Sequence, residues 1–229
     1  MLGQDRSDHI GWEVLGGIVL TATGPRWHVV ALAAGEAGLA TLRGLLSPRR
    51  PLVLSAVFTH RRRPKALDPA RSADPAYAQY ADLARVRNLP LHTADDRWAA
   101  ERLDGLSACR PFDVLLAVGW RYPVPGSLLT WPRLAAIELH HGPPGDAGAD
   151  AIRRALEAGE KSLTITARLL TSDPRPGPVL MERSHRVGLL RGPTLADDVE
   201  RVQRELFGLY PQVAIQAIER VAGPVLAQP

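Results

Sequence analysis

Short apolar runs alternate with amphipathic segments along most of this chain of 229 residues. Each apolar run is bounded by glycine, proline or charged residues and is too short for an ordinary buried helix, so these runs predict buried β-strands. The strand candidates are residues 27–35, 51–60, 89–93, 112–120, 133–141, 162–170 and 179–187. The continuous apolar run "FDVLLAVGW" (112–120) is typical of a central strand in a parallel sheet.

Segments with helical periodicity separate most of these strands. Their apolar residues recur at spacings of three and four, as on one face of a helix. The helix candidates are residues 36–46, 78–88, 95–109, 149–160 and 194–223. In the last of these, Thr194 is expected to be the N-cap and Pro211 to break or kink the helix. Strands alternating with helices predict an α/β fold with an open, mostly parallel, twisted sheet and helices on both faces.

Composition narrows the class of protein. Hydrophobic residues make up 45% of the chain, which is enough to fill the core of a large domain. All apolar runs are much shorter than the roughly 18 residues that cross a bilayer, so we expect no membrane association. Residues 1–14 lack the features of a secretion signal, which predicts a cytoplasmic location. Cys109 is the only cysteine and cannot form an internal disulfide.

The charge pattern favours a small anionic ligand over nucleic acid. The net charge is +4, and a modest positive field attracts phosphorylated or carboxylated molecules. The densest basic cluster, "HRRRPK" at residues 60–65, has no interleaved aromatic residues. We interpret it as a solvated loop that could meet a phosphate group, and we do not expect nucleic acid as a partner.

Two strands end in residues that carry chemistry. In an open α/β sheet the ligand crevice lies beyond the carboxyl ends of the strands, where "VGWRYPVP" (118–125) and "ELHHGPPGDAG" (138–148) begin. Side chains alternate along a strand, so Glu138 and His140 project from one face and His141 from the other. A carboxylate and an imidazole can then meet one substrate, whereas the two histidines do not suit one metal ion, and no metal site is predicted. The alternative is a solvated strand end with a chance polar pair.

The order of these motifs resembles the catalytic core of the folate-dependent formyltransferases, which include glycinamide ribonucleotide, methionyl-tRNA and sugar N-formyltransferases. The resemblance covers residues 27–222 and implies their Rossmann-like formyltransferase fold. His140 matches the family's catalytic histidine, and Pro144 and Gly148 match the loop that follows it. Residues 177–180, "GPVL", match the end of the loop that carries the family's aspartate.

The resemblance also implies a cosubstrate and a site for it. The family's formyl donor is 10-formyltetrahydrofolate, and the loop that lines its pocket corresponds to Trp120, Arg121, Tyr122 and Pro123. The implied reaction transfers the formyl group to an amine of a small molecule. The implied catalytic domain covers residues 27–229.

Three positions depart from the family pattern, and one of them is Gly142, where the family usually has a serine. Glu138 stands where the family has an asparagine, whose amide stabilises an oxyanion together with the histidine. Counting back from Gly177 puts the family's aspartate near Ser172, so Asp173 is the match only if the loop has shifted. The candidate catalytic residues are therefore His140, Glu138 and Asp173.

Glu138 leaves the reaction open. A protonated glutamate could donate a hydrogen bond to the oxyanion, whereas an ionised one would accept a proton or hold His140 as imidazolium. The three hypotheses are a formyltransferase with a remodelled site, a hydrolase or other one-carbon enzyme using Glu138 and His140, and a catalytically silent relative that binds a ligand.

Residues 1–26 have no counterpart in the resemblance. The stretch "WEVLGGIVLTATG" (12–24) predicts an edge strand or hairpin, which could support a homodimer. Methionyl-tRNA formyltransferases carry an additional C-terminal domain, whereas this chain ends soon after the helix at 194–223. We therefore expect a small amine rather than tRNA as the acceptor.

Overall fold

The computed structural model describes residues 26–47, 51–63, 65, 68–103, 105–142, 148–173, 175–187 and 192–226. The predicted hairpin at residues 12–24 and the loop residue Pro144 lie outside these ranges. Their roles stay predictions, as do the homodimer and the cytoplasmic location.

A seven-stranded sheet organises the described part of the chain. Its strands are β1 (Trp27–Ala33), β2 (Leu52–Thr59), β3 (Leu91–Thr93), β4 (Val114–Val118), β5 (Ala135–His141), β6 (Ser162–Leu169) and β7 (Val179–Arg186). They lie in the order β3-β2-β1-β4-β5-β6-β7. Strands β1 to β5 pair in parallel, and β6 pairs antiparallel with both β5 and β7. The predicted open, mostly parallel sheet is confirmed.

In the described part of the chain, six helices accompany the sheet. They are α1 (Gly35–Leu45), α2 (Tyr77–Arg87), α3 (Arg97–Arg102), α4 (Gly148–Glu157), α5 (Leu195–Phe207) and α6 (Tyr210–Leu226), with short 3₁₀ turns at Leu106–Cys109 and Gly126–Leu128. Among the described residues, no helix combines the length and apolar character that a membrane crossing requires.

Two of the predicted helices are shorter than their patterns. The helix predicted at 95–109 ends at Leu103, which adopts a left-handed backbone with φ 40°, and the chain resumes as a 3₁₀ turn. This turn lets both Leu103 and Leu106 enter the same core. The predicted C-terminal helix divides into two, and the first part ends at Phe207, slightly before the break predicted at Pro211. Pro211 lies in the first turn of α6, where its missing N–H costs no hydrogen bond. Thr194 caps α5 as predicted, in a reciprocal capping box with Asp197.

The two faces of the sheet carry separate cores. One face packs against α1, α2, α4, α5 and α6 through residues such as Ile137 and Leu139 of β5. The other face packs against α3, the two 3₁₀ turns and the loop after β4, through residues such as Ala136. Helices therefore lie on both faces, but the longer ones share one face. The second face has thinner cover, and the candidate site lies on it.

Candidate active site

The end of β5 places Glu138 and His140 together on the thinly covered face. Ile137 and Leu139 alternate with them and enter the core on the opposite face. Parallel pairing of β4 with β5 aligns Val118 with Leu139, so β5 extends beyond the end of β4. Glu138 and His140 are both half-buried. They therefore lie at the carboxyl edge of the parallel strands, where α/β sheets bind ligands.

His140 contacts an arginine that the sequence analysis did not consider. Arg168 of β6 places its Nη2 atom 3.1 Å from Nε2 of His140. A guanidinium has no acceptor, so Arg168 donates and His140 Nε2 accepts. The pKa of His140 is lowered to about 4 by burial first, and then by the charges of Arg168 and His141. The ring is therefore neutral near pH 7.

Glu138 lies directly opposite the same arginine on the neighbouring strand. Glu138 and Arg168 are paired residues in the antiparallel ladder between β5 and β6. Burial raises the pKa of the Glu138 carboxyl, and the positive charge of Arg168 opposes that rise. The three side chains form a polar group on the thinly covered face of β5 and β6. We refer to Glu138, His140 and Arg168 as the polar triad.

His141 lies on the other side of the sheet. Its Nδ1 atom is 2.7 Å from the hydroxyl of Tyr210, and its ring packs edge-on against Phe207. Both His141 and Tyr210 are buried. This histidine therefore connects β5 to helices α5 and α6, and it is separated from the polar triad by the strand itself.

The loop after β4 forms an aromatic wall on the same face as the polar triad. Gly119 begins this loop with φ +63°, and a Cβ there would meet the Ala34 carbonyl oxygen at 2.6 Å, so this turn requires glycine. Trp120 stacks on His60 with ring centroids 4.3 Å apart, and Tyr122 meets His60 edge-on at 5.4 Å. The wall thus includes His60, which follows β2.

His60 was assigned to a solvated loop by the sequence, but the structure buries it. Its Nδ1 atom lies 2.5 Å from the Ala94 carbonyl oxygen, which accepts the hydrogen bond. Burial is the main cause that lowers the pKa of His60 to about 4. The neutral ring therefore presents Nε2 as an acceptor. Among the described residues, neither this Nε2 nor the buried Nε1 of Trp120 has a hydrogen-bond partner.

The other predicted folate-pocket residues have different surroundings. Arg121 donates to a carboxylate oxygen of Asp74 and, at 2.6 Å, to the Arg62 carbonyl oxygen. Its guanidinium therefore holds neighbouring loops together. Tyr122 donates to the Asp95 carbonyl oxygen at 3.1 Å. Pro123 is exposed.

Asp173 lies in an exposed loop and pairs with Arg175 at 2.7 Å. Hydrogen bonds from Arg175 are the first cause that lowers the pKa of the Asp173 carboxyl. Ser172 is also exposed, and its Cβ lies 3.7 Å from the Cβ position of Gly126, on the turn after the aromatic wall. Among the described contacts, none joins Asp173 to His140. The structure therefore brings Glu138 and His140 together and leaves Asp173 paired elsewhere.

Metal ligands are not clustered in the described part of the chain: no three His, Cys, Asp or Glu side chains there are arranged to hold an ion.

The residues that line the candidate site instead fit a flat polar heterocycle. The aromatic wall supplies ring faces, and the unpartnered Trp120 N–H and His60 nitrogen supply one donor and one acceptor. A reduced folate, which has a flat ring with donors and acceptors, matches this set.

Arg168 and His60 are the site residues that sequence reasoning missed. Thr164, Thr166 and Arg168 alternate with apolar residues along β6, which is a signal for one polar face. That signal does not identify the neighbouring strand. His60 directly follows β2, at the same edge of the sheet as the other site segments.

Comparison with known proteins finds relatives by sequence and by fold. No family model matches the chain. The methionyl-tRNA formyltransferase of Pseudomonas fluorescens is 28% identical over 200 residues, which cover 87% of this chain and 59% of that protein. Across three such relatives, the chain spans between 38% and 59% of their length.

Solved structures share the fold. Glycinamide ribonucleotide transformylase 1 from Symbiobacterium toebii matches with a TM-score of 0.60 and 24% identity, over 86% of this chain and 90% of that one. A formyltetrahydrofolate deformylase from Pseudomonas syringae matches with a TM-score of 0.63 and 16% identity, over 84% and 60% of the two chains. The chain is therefore similar in sequence to methionyl-tRNA formyltransferases, and it shares its fold with glycinamide ribonucleotide transformylase and formyltetrahydrofolate deformylase.

Proposed function

We propose that this protein transfers a formyl group from 10-formyltetrahydrofolate to an amine of a small anionic molecule. The observation that carries the proposal is His140, a neutral imidazole whose Nδ1 is buried without a partner among the described residues. It lies beside Glu138 and on the same face as the aromatic wall. The positive charges of the chain and of Arg168 in the site favour an anionic substrate.

The reaction requires a donor for an oxyanion and an acceptor for a proton. The amine nitrogen bonds to the formyl carbon, the carbonyl oxygen becomes an oxyanion, and the carbon–nitrogen bond to the folate then breaks. His140 donates its Nδ1–H to that oxygen. Glu138, when ionised, accepts the proton that the amine loses and then gives that proton to the folate nitrogen as it leaves.

The aromatic wall would hold the folate. Trp120 and Tyr122 supply apolar contact, and the Trp120 N–H and His60 Nε2 satisfy polar atoms of the ring. When bound, 10-formyltetrahydrofolate supplies an activated formyl group. The residues of this chain orient it, exclude water and manage protons.

Hydrolysis of the same folate to formate is the second candidate. The observation that favours it is the half-buried Glu138 carboxyl, since a carboxylate beside a neutral histidine can accept a proton from water as readily as from an amine. The two reactions differ only in the nucleophile that enters the site.

One assay separates these candidates. Purified protein is incubated with 10-formyltetrahydrofolate, alone and with primary amines that carry a carboxylate or a phosphate, and tetrahydrofolate and formate are measured. Tetrahydrofolate that forms only with an amine, without equal formate, supports transfer. Equal formate without an amine supports hydrolysis. No turnover together with no folate-dependent quenching of tryptophan fluorescence would refute both.

A further inference from the structure

Arg168 takes no part in the proton transfers of the proposed reaction, yet its side chain touches His140. The antiparallel ladder pairs Glu138 with Arg168 and His140 with Thr166. Arg168 therefore lies diagonal to His140, at a distance that a long side chain can span. Its Nη2 atom reaches His140 Nε2 at 3.1 Å, so the contact links the two strands through the candidate active site.

The hydrogen-bond donors and acceptors around His140 determine which ring nitrogen carries its proton. Because Arg168 can only donate, His140 Nε2 must carry the lone pair, and the single proton of the neutral ring lies on Nδ1. Among the described residues, neither His140 Nδ1 nor Arg168 Nε, both buried, has a partner. Two N–H donors on adjacent strands are thus left without an acceptor. A buried unpaired donor is costly, so such a pair suits a ligand oxygen.

Among the described residues, the titratable groups around His140 lie on three strands. Glu138 and His141 lie on its own strand, and Arg168 lies on β6. Thr166, opposite His140, donates to Glu182 of β7 at 3.5 Å. Arg168 is the group among these that contacts the imidazole directly.

We propose that Arg168 is a positioning residue that holds His140 in the Nδ1–H tautomer, and that this N–H and the Arg168 Nε–H together form the donor pair for an oxygen of the bound substrate. The proposal rests on the proposed function for the identity of that oxygen, the formyl oxygen. An ionised Glu138 cannot donate a hydrogen bond to this oxygen. In the proposed arrangement the second donor, the Arg168 Nε–H, comes from the neighbouring strand instead.

In the proposed step Arg168 acts only as a hydrogen-bond donor. The oxygen gains negative charge when the amine bonds to the formyl carbon, and it loses that charge when the carbon–nitrogen bond to the folate breaks. The two N–H groups donate more strongly to the charged oxygen than to the neutral carbonyl. Their contribution therefore appears in kcat more than in KM.

The tautomer is tested by NMR on protein labelled with ¹⁵N-histidine, with the His140 signals assigned from a His140→Gln variant. In the wild type, Nδ1 is expected to show the shift of a protonated nitrogen and Nε2 that of an acceptor. In Arg168→Met the Nε2–H tautomer should become populated. In Arg168→Met the pKa of His140 should also rise from about 4. It should stay below 6.5, because burial is the larger cause of the lowered pKa and remains in the variant.

A second variant separates the two roles of Arg168. Arg168→Lys keeps a cationic donor for His140 but has no Nε–H, so it should retain the wild-type tautomer and still lower kcat. Arg168→Met should lower kcat by about 10²- to 10³-fold with little change in the KM for the folate. Arg183→Met, an exposed arginine of β7 paired with Ile165 on the opposite face, is the matched control and should leave both readouts unchanged.

The outcomes are distinct. A wild-type His140 in the Nε2–H form, or an unchanged tautomer in Arg168→Met, overturns the proposal. A tautomer change in Arg168→Met in a protein that shows no formyl transfer refutes the proposed function and leaves Arg168 as the positioning residue of His140. Full kcat in folded Arg168→Met rejects the donor pair.

Discussion

Replacement of His60 by asparagine should make the protein's stability less sensitive to acid. His60 is 2% exposed, and its pKa falls from 6.5 to about 4 mainly because burial penalises the charged ring. The unfolded chain therefore binds a proton at a higher pH than the folded protein does. As pH falls from 6.5 to about 4, the free energy of unfolding therefore decreases. Below about pH 4, His60 is protonated in both states and causes no further decrease.

The magnitude follows from the size of the shift. One pKa unit corresponds to about 1.4 kcal/mol, so His60 accounts for a loss of about 3 kcal/mol over the whole window. Between pH 7 and pH 5 the loss is about 2 kcal/mol. The His60→Asn side chain can still donate to the Ala94 carbonyl oxygen, but it does not titrate. His140, with a pKa also near 4, is present in every variant and cancels in the comparison.

Urea unfolding at pH 7 and pH 5 measures this difference. Between these two pH values, His60→Asn should lose about 2 kcal/mol less stability than the wild type. The control is His28→Asn, because His28 is an exposed histidine of β1 that bonds Ser55, and it should follow the wild type. Equal losses in His60→Asn and the wild type would show that His60 is not held neutral by burial.

Three further predictions concern the site and its support. His140→Ala should abolish formyl transfer but keep folate-dependent tryptophan quenching; transfer that survives would reject His140 as the donor. Glu138→Gln and Glu138→Asn should both lower kcat strongly if the ionised carboxylate is the base, whereas retained or raised transfer in both indicates a protonated donor. Tyr210→Phe should lower the free energy of unfolding by about 1–3 kcal/mol, because it leaves buried His141 Nδ1 without its 2.7 Å contact. In the same urea titration, Tyr77→Phe on the partly exposed start of α2 should change stability little, and equal effects would contradict the argument.

Much of the fold was accessible from local patterns. Apolar runs and helical spacing predicted the strands and most of the helices. A strand buried on one face shows apolar residues with a period of two, a strand buried on both faces shows a continuous apolar run, and an amphipathic helix shows a period of 3.6. Alternation along β5 also separated Glu138 and His140 from His141 before any contact was known. The helix at 95–109 was predicted too long because its pattern carries no sign that Leu103 turns left-handed to enter the core.

The composition of the site depended on pairings that sequence distance conceals. Arg168 is 28 residues from His140 and reaches it only because β6 runs antiparallel beside β5. His60 and Trp120 are likewise distant in the chain, and their stacking follows from β2 and β4 ending at the same edge of the sheet. Short-range periodicity encodes which face of a strand a side chain occupies, whereas the neighbour it meets there depends on strand order and register. Local pattern was therefore sufficient for His140 and Glu138, and strand pairing was required to find the arginine on the strand beside them.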